Sequence, residues 1–152
     1  MAVRRCQFPI SRGDVVHAAR RWIGTPYHHQ ASLRGFGADC LGLVRGVHRD
    51  IYGDEPERPP AYSADWAETG GHETMLSAAQ RHLMAVEASA AAAGDVVIFR
   101  LRPGCVAKHA AILTARDSMV HAVEGSGVVE VPLGRWWRRR IAGAFSFPGI
   151  ED

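Results

Sequence analysis

The stretch GFGADCLGLVRGVHRDIYG, residues 35–53, joins a glycine-rich loop to an apolar helical pattern that begins at Cys40. Apolar residues recur in it at spacings of three and four, which predicts an amphipathic helix. They are Leu41, Val44, Val47 and Ile51. Gly35 and Gly37 permit backbone angles ahead of the helix that other residues resist. The pattern therefore predicts that Cys40 lies at a helix N-terminus.

Two interpretations of Cys40 follow from this stretch alone. Unpaired backbone N–H groups and the helix dipole favour a thiolate, so the pKa of Cys40 is expected below the roughly 8.5 of a free cysteine. A thiolate at this position would be a nucleophile. Alternatively, Cys40 is a buried free cysteine that packs as a small hydrophobic residue. The rest of the chain has to decide between them.

Length and composition fit one globular domain that spans residues 1–152. The chain is 47% hydrophobic and 22% charged, and its formal net charge of +2 gives no argument for a nucleic-acid partner. Its three cysteines, Cys6, Cys40 and Cys105, match neither a disulfide framework nor a paired-cysteine zinc site. We therefore expect no metal and no other cofactor.

The N-terminal segment MAVRRCQFPIS has basic residues with no apolar run behind them, so we expect neither a signal peptide nor a lipoprotein anchor. No apolar stretch approaches the roughly 18 residues of a membrane span. We expect synthesis in the cytoplasm, and any action elsewhere would depend on delivery.

Two more segments have helical spacing. Residues 11–23 have Ser11 as a candidate N-cap with Asp14 as its capping-box partner. The predicted buried face of this helix consists of Val15, Ala18, Ala19, Trp22 and Ile23. Residues 71–87 form the other helix, and the alanine run 88–93 fits either its extension or a loop. Residues 24–38 are predicted as a loop, and the proline-rich run 54–62 as a surface crossing.

From Gly94 onward the sequence predicts strands, because short β-branched or apolar segments alternate with turn residues. The segments are 95–101, 109–115, 119–123, 128–131 and 141–147. Their close spacing favours an antiparallel meander, since parallel strands need long crossovers. Helices followed by strands predict an α+β domain with a helical layer on one face of the sheet.

Two histidines occupy these apolar strands, His109 in KHAAIL and His121 in MVHAV. If the two strands form a hairpin around ARDS, both side chains can lie on one sheet face near one end. That face, packed against the Cys40 helix, would combine a nucleophile, a base and a group that orients the base. A lone strand histidine is more often a core residue, but two histidines together with Cys40 favour catalysis.

The segments GTPYHHQASLRGFGADCLGLV, AGDVVIFR, KHAAIL and MVHAVEGSGVVEV resemble the NlpC/P60 family of cysteine peptidases. The resemblance covers residues 13 to 147 and is closest to phage-associated cell wall peptidases, including those encoded by gene transfer agents, which carry the same DCLGL and WWRRR elements. It implies a papain-like α+β fold. It also implies an endopeptidase that cuts peptidoglycan stem peptides, typically between γ-D-glutamyl and a diamino acid such as meso-diaminopimelate.

The resemblance also implies roles for individual residues. Cys40 would be the nucleophile, His109 the base and His121 the orienting residue. Tyr27 matches a family tyrosine that assists the oxyanion alongside the backbone N–H of Cys40. Asp39 matches an acidic residue that binds the substrate amino group in some members. Alternatively, Asp39 is a helix N-terminal carboxylate that the dipole favours.

Two features leave the specificity open. Leu41 stands where the family usually has serine, so any substrate hydrogen bond from that serine is absent. The segment GRWWRRR, residues 134–140, could hold an anionic cell wall polymer, a partner protein or nucleic acid. We favour the other interpretation, in which one tryptophan packs on the sheet while the arginines keep a strand edge soluble.

The sequence thus predicts a single-domain peptidoglycan peptidase with a Cys40, His109 and His121 triad. Its expected partners are the stem peptide and the tail-tip or baseplate proteins of a phage-like particle, which would deliver it to the periplasm of a target cell. Three alternatives remain. They are a structural tail component of the same fold with little activity, a metal-binding module that also uses His28, and an amidase or acyltransferase of related fold.

Overall fold

The structure, a computed structural model, describes residues 9–55, 57 and 71–151. Its helices are α1 (Arg12–Arg20), α2 (Cys40–Tyr52), α3 (Thr74–His82) and α4 (Arg135–Arg138), with a 3-10 helix at Ala88–Ala90. Its strands are β1 (Ile10–Ser11), β2 (Ser32–Leu33), β3 (Gly37–Ala38), β4 (Met84–Val86), β5 (Val96–Phe99), β6 (His109–Ala115), β7 (Ser118–Val123), β8 (Gly127–Pro132), β9 (Ile141–Ser146) and β10 (Ile150–Glu151). Cys6 and most of the proline-rich run 54–62 lie outside the described residues.

Six strands form one antiparallel sheet in the order β4-β9-β5-β6-β7-β8. Strands β5 to β8 follow each other as the predicted meander, and β9 returns to pair with the free side of β5. Strand β4 then pairs with β9. The prediction of an α+β domain with helices packed on an antiparallel sheet is confirmed. Among the described residues, no helix combines the length and the apolar character needed to cross a bilayer.

Helices α1 and α2 cover one face of the sheet. The core between them and the sheet is made of fully buried apolar side chains, including Val15, Leu43, Val47, Ile112, Val120 and Phe145. The two helices meet where the indole of Trp22 lies against Gly46. Trp22 also donates a hydrogen bond from Nε1 to the Asp50 carboxylate at 2.8 Å. The polar atom of this buried ring is therefore satisfied.

The opposite face of the sheet has its own smaller apolar cluster. It is covered by α4, whose Trp137 packs against it. The buried members are Val97, Phe99, Ala111, Leu113, Met119, Leu133 and Ala144. Because strand side chains alternate between faces, β6 contributes Ala110 and Ile112 to the helix side and Ala111 and Leu113 to the side of α4.

Helix α1 has the predicted start but a shorter buried face. Ser11 caps it by accepting a hydrogen bond from Asp14 N at 3.1 Å, and Asp14 accepts one from Ser11 N at 2.9 Å. The capping box is thus confirmed. The prediction that Ile23 is buried is wrong, because the helix ends at Arg20 and Ile23 is 43% exposed in the following turn.

Helix α2 has the predicted limits, and Gly53 ends it in a left-handed conformation with φ of 85°. Its most buried face, however, is rotated from the predicted apolar stripe. Leu41, Val44 and Ile51 are only partly buried. The residues buried most completely are Gly42, Leu43, Gly46, Val47 and His48. Glycines carry no hydrophobic signal, so the pattern could not show that the closest packing of α2 occurs at glycine positions.

The prediction of one helix over residues 71–87 is wrong. Helix α3 ends at His82, and residues 84–86 form β4, which is paired with β9. The apolar spacing continues through this point, but hydrogen bonds to β9 take over from the helical ones. Such pairing with a distant segment overrides local propensity. The alanine run begins with a short 3-10 helix and then continues without regular structure.

The contact between α1 and α2 predicts the effect of enlarging Gly46. An ideal Cβ there would lie 2.1 Å from Trp22 Cζ2, and Trp22 is 1% exposed. We expect Gly46→Ala to lower the free energy of unfolding by about 1–3 kcal/mol, since an overpacked core must shift. Urea denaturation would measure it. Gly13→Ala is the control, because its Cβ would meet only Ser11 Oγ at 3.6 Å. Equal stability of the two variants would contradict this packing.

Candidate active site

Asp39 fixes the start of α2 and so the position of Cys40. It is the N-cap residue, and its Oδ1 accepts a hydrogen bond from Gly42 N at 2.7 Å. Its Oδ2 accepts another from Gln30 N at 2.9 Å. The residue is 4% exposed, so these backbone amides stabilise a buried carboxylate. The structure therefore contains the capping contact that one interpretation of Asp39 predicted, and it confirms Cys40 as the first residue of the helix.

Tyr27 is held beside Cys40 by the backbone. Ala38 N donates to Pro26 O at 3.0 Å and His28 N donates to Ala38 O at 3.2 Å, so the tyrosine segment runs parallel to the residues before α2. Burial, followed by the charges of Cys40 and Asp39, raises the pKa of Tyr27 to about 12. Its hydroxyl is therefore protonated at neutral pH and can donate a hydrogen bond.

His109 and His121 are brought together by the hairpin of β6 and β7. Ile112 lies opposite Val120 in the register, which makes the two histidines diagonal neighbours on one face. His109 Nε2 is 2.9 Å from His121 Nδ1, and one of these nitrogens donates to the other. The predicted hairpin and the predicted closeness of the histidines are confirmed. The bond leaves His109 Nδ1 as the ring nitrogen that can exchange a proton with another group.

We expected the Cys40 helix to pack on the sheet face that carries the two histidines, and this expectation is wrong. Alternation places His109 with Ala111 and Leu113, on the side of the sheet opposite α1 and α2. Cys40 approaches from the helix side, at the end of the sheet. Its Sγ is 3.7 Å from the carbonyl oxygen of Lys108, the residue directly before β6. The cysteine and the histidines can therefore share a site only because His109 is the first residue of its strand.

Trp137 covers the histidine pair, a role that the sequence did not reveal. Its ring centroid is 5.5 Å from that of His109, 5.2 Å from that of His121 and 4.9 Å from that of Phe99. The expectation that one tryptophan of the 134–140 segment packs on the sheet is confirmed. In the sequence, the only signal for this residue is the pair of tryptophans in the basic segment 134–140. Its contact with the histidines could not be predicted, because that contact depends on how α4 folds back over β6 and β7.

One cavity of about 370 Å³ joins these groups. The predicted site residues that line it are Tyr27, Asp39, Cys40, His109 and His121. Trp137, the exposed Glu124 and His29 line it as well, whereas His28 does not. The structure thus brings all five predicted site residues to one cavity at the end of the sheet.

The protonation states differ from the expected thiolate. Burial among protein atoms, followed by the charge of Asp39, raises the pKa of Cys40 to about 12. Backbone N–H groups do lower this pKa, first that of Ala110 in β6 and then those of Leu41 and Cys40 at the helix start, but they are outweighed even though the residue keeps some exposure. Burial, followed by His121, lowers the pKa of His109 to about 3. The resting site therefore contains a neutral thiol and a neutral imidazole.

The described residues contain no group of three or more His, Cys, Asp or Glu side chains placed to hold a metal ion. The set proposed for a metal-binding module includes Cys40, His109, His121 and His28, and all four are described. His28 is exposed and does not line the cavity. The geometry therefore favours a thiol with a histidine pair over a metal centre.

A cysteine at a helix start, beside a hydrogen-bonded histidine pair, is the arrangement of a thiol hydrolase. The model of the NlpC/P60 family matches residues 24–145, a range that includes every residue discussed above for this site. The chain belongs to the NlpC/P60 family. A comparison with curated proteins found no match.

Solved structures share the fold. An NlpC/P60 family protein from Bacillus cereus ATCC 10987 has a TM-score of 0.67 and 21% identity, over 92% of this chain and 41% of that one. The NlpC/p60 domain of the peptidoglycan hydrolase SagA has a TM-score of 0.61 and 24% identity, over 91% of this chain and 100% of that domain. A lipoprotein-like NLP/P60 family protein from Staphylococcus aureus subsp. aureus Mu50 has a TM-score of 0.60 and 21% identity, over 100% and 46%. This chain thus spans less than half of the first and third proteins.

The raised pKa of Cys40 predicts how the free protein reacts with iodoacetamide. If the thiol is neutral at rest, the alkylation rate should rise about tenfold per pH unit from about pH 7 to 9, because only the thiolate reacts. The measurement uses protein in which Cys6 and Cys105 are replaced by serine. A short peptide with blocked ends and a single cysteine is the control, and its rate should level off above its pKa of roughly 8.5. A rate for Cys40 that is already constant below pH 7 would show a thiolate and contradict the assignment.

Proposed function

We propose that this protein is a peptidoglycan endopeptidase in which Cys40 is the nucleophile, His109 the base and His121 the residue that orients the base. The observation that carries the proposal is the 2.9 Å bond between His109 Nε2 and His121 Nδ1, on the wall of the cavity that also contains Cys40. Membership of the NlpC/P60 family supports it. So does the structural likeness to a domain of a named peptidoglycan hydrolase.

The proposed reaction starts from the neutral pair. As substrate binds, the thiol proton passes to His109 Nδ1 while Sγ attacks the amide carbonyl carbon. The backbone N–H of Cys40 and the hydroxyl of Tyr27 stabilise the oxyanion. His109 then protonates the leaving amine, which leaves an acyl-enzyme. A water molecule gives a proton to His109 and attacks the thioester, and His109 returns that proton to sulfur as the C–S bond breaks, which releases the acid and restores the thiol.

His121 and Trp137 act on His109 in this scheme. The bond to His121 fixes the tautomer of His109 and shares the positive charge that forms during attack. Trp137 packs against both rings, tilted by 30° to His109 at 5.5 Å and perpendicular to His121 at 5.2 Å, and so shields that side from water. A proton arriving on His109 is therefore kept for the leaving amine.

The proposed bond is the one between γ-D-glutamyl and a diamino acid, the bond implied by the family resemblance. Leu41 lines the cavity where the family usually has serine, so this wall is apolar. We place Asp39 at the cavity wall as the clamp of the helix start, since both of its oxygens hold backbone amides. The exposed Glu124 is the other carboxylate lining the cavity among the described residues.

We also propose that the protein acts from the tail tip or baseplate of a phage-like particle, in the periplasm of the target cell. The proposal is supported by the resemblance of the DCLGL and WWRRR segments to phage-associated members of the family, including those of gene transfer agents. In this role the peptidase opens the wall for the particle, and tail proteins are its partners.

Digestion of purified meso-diaminopimelate-type peptidoglycan tests the activity. Wild-type protein should release fragments cut after γ-D-glutamate, whereas Cys40→Ala should lose activity by at least about 10³-fold while staying folded. Mass spectrometry of the fragments identifies the bond. Excess chelator should leave the wild-type activity unchanged, because the proposed mechanism uses no metal.

Three outcomes would contradict the proposal. Release of whole stem peptides from the sugar would indicate an amidase. Loss of activity on chelation would indicate a metal-dependent site. No release by a folded wild-type protein, alone or with its particle, would indicate a structural component.

A further inference from the structure

A second cleft, of about 600 Å³, lies next to the catalytic cavity and shares Leu101 with it. Its wall is basic and aromatic. The charged and aromatic residues that line it are Arg100, Arg135, Trp136, Arg139 and Arg140. Within the described part of the chain, no carboxylate lines this cleft. The positive charge is therefore concentrated beside the site where the chemistry would occur.

Two of the four arginines are already occupied. Arg100 pairs with the Glu73 carboxylate and donates to the Cys105 carbonyl oxygen at 2.6 Å. The guanidinium of Arg140 lies 3.8 Å from the centre of the Trp136 ring. These contacts hold both side chains in the wall of the cleft. Because their guanidinium groups already contact protein atoms, we do not assign them to a ligand.

Arg135 and Arg139 are different, because their side chains have no hydrogen bond or ion pair to any described residue. Both are exposed. They are four residues apart, one at the first residue of α4 and the other at its C-cap, and both line the same cleft. Like charges at this spacing repel each other, so an anion bound between them would offset that repulsion.

Arg138, in the same helix, differs from Arg135 and Arg139 both in its hydrogen bonding and in its position. It donates a hydrogen bond to the carbonyl oxygen of Arg116 at 2.6 Å and does not line the cleft. Keeping a strand edge soluble would not require Arg135 and Arg139 to share a cleft with Trp136. Their common position indicates a ligand.

We infer that Arg135 and Arg139 bind carboxylate groups of the stem peptide where it extends from Cys40 past Leu101. This rests on the proposed function. A γ-linked glutamyl residue keeps a free α-carboxylate, and meso-diaminopimelate carries an extra carboxylate on its side chain, so this substrate is anionic on both sides of the scissile bond. Guanidinium groups bind carboxylates through paired, charge-assisted hydrogen bonds. The cleft thus supplies substrate affinity and selects for acidic stems.

Steady-state kinetics with three synthetic tripeptides test the inference. The reference is L-alanyl-γ-D-glutamyl-meso-diaminopimelate. One analogue replaces diaminopimelate by L-lysine and the other replaces D-glutamate by D-isoglutamine, so each lacks one carboxylate. For the reference, Arg135→Ala/Arg139→Ala should raise KM about tenfold or more and leave kcat within about twofold, since neither residue touches the reacting atoms. For at least one analogue, the double variant should raise KM by less than it does for the reference, because a carboxylate that the arginines bind is absent.

Arg138→Ala is the matched control, because it removes a neighbouring charge from outside the cleft. It should behave as wild type with all three peptides. Unchanged KM in the double variant, with cleavage intact, would overturn the inference and leave the proposed function standing. An effect confined to wall material that carries phosphate polymers, with peptides unaffected, would also overturn it. If folded wild-type protein cleaves none of the three peptides, the proposed function itself fails.

Discussion

The Asp39 carboxylate is the constraint on which the site depends. One oxygen satisfies Gly42 N at the start of α2, and the other satisfies Gln30 N in the loop that follows Tyr27. Gln30 has a φ of 65°, an unusual angle for a residue with a side chain, and its bond to Asp39 helps to offset that strain. A single buried side chain thus ties the proposed nucleophile, Cys40, to the loop that carries the proposed oxyanion donor, Tyr27.

The clamp has an electrostatic consequence. The charge that orders the helix start also adds to burial in raising the pKa of Cys40, so the thiol stays protonated until a base takes its proton. His109 is available as that base, because burial and His121 keep it neutral. Order and reactivity are therefore supplied by different residues. In the proposed mechanism Asp39 positions the sulfur, whereas His109, its partner His121 and the covering Trp137 handle the proton.

The sequence was sufficient where local chemistry decides the structure. The Ser11 capping box, the limits of α2 and the hairpin that joins His109 to His121 all follow from spacing and turn residues. It was insufficient where distant segments meet. The strand at 84–86 exists because β9 lies beside it, and Trp137 covers the histidines because α4 folds back over the sheet. The pKa of Cys40 was mispredicted for the same reason, since burial depends on the whole fold.

The most direct test of this account is the free energy of unfolding of Asp39→Asn. Asparagine keeps the size of the side chain but has one acceptor oxygen, so either Gly42 N or Gln30 N loses its partner. We expect the free energy of unfolding, measured by urea denaturation, to fall by about 1–3 kcal/mol, the cost of an unsatisfied buried amide. Asp54→Asn, at an exposed position two residues beyond the end of α2, is the control and should change little. Equal stability of the two variants would contradict the central role of the Asp39 clamp.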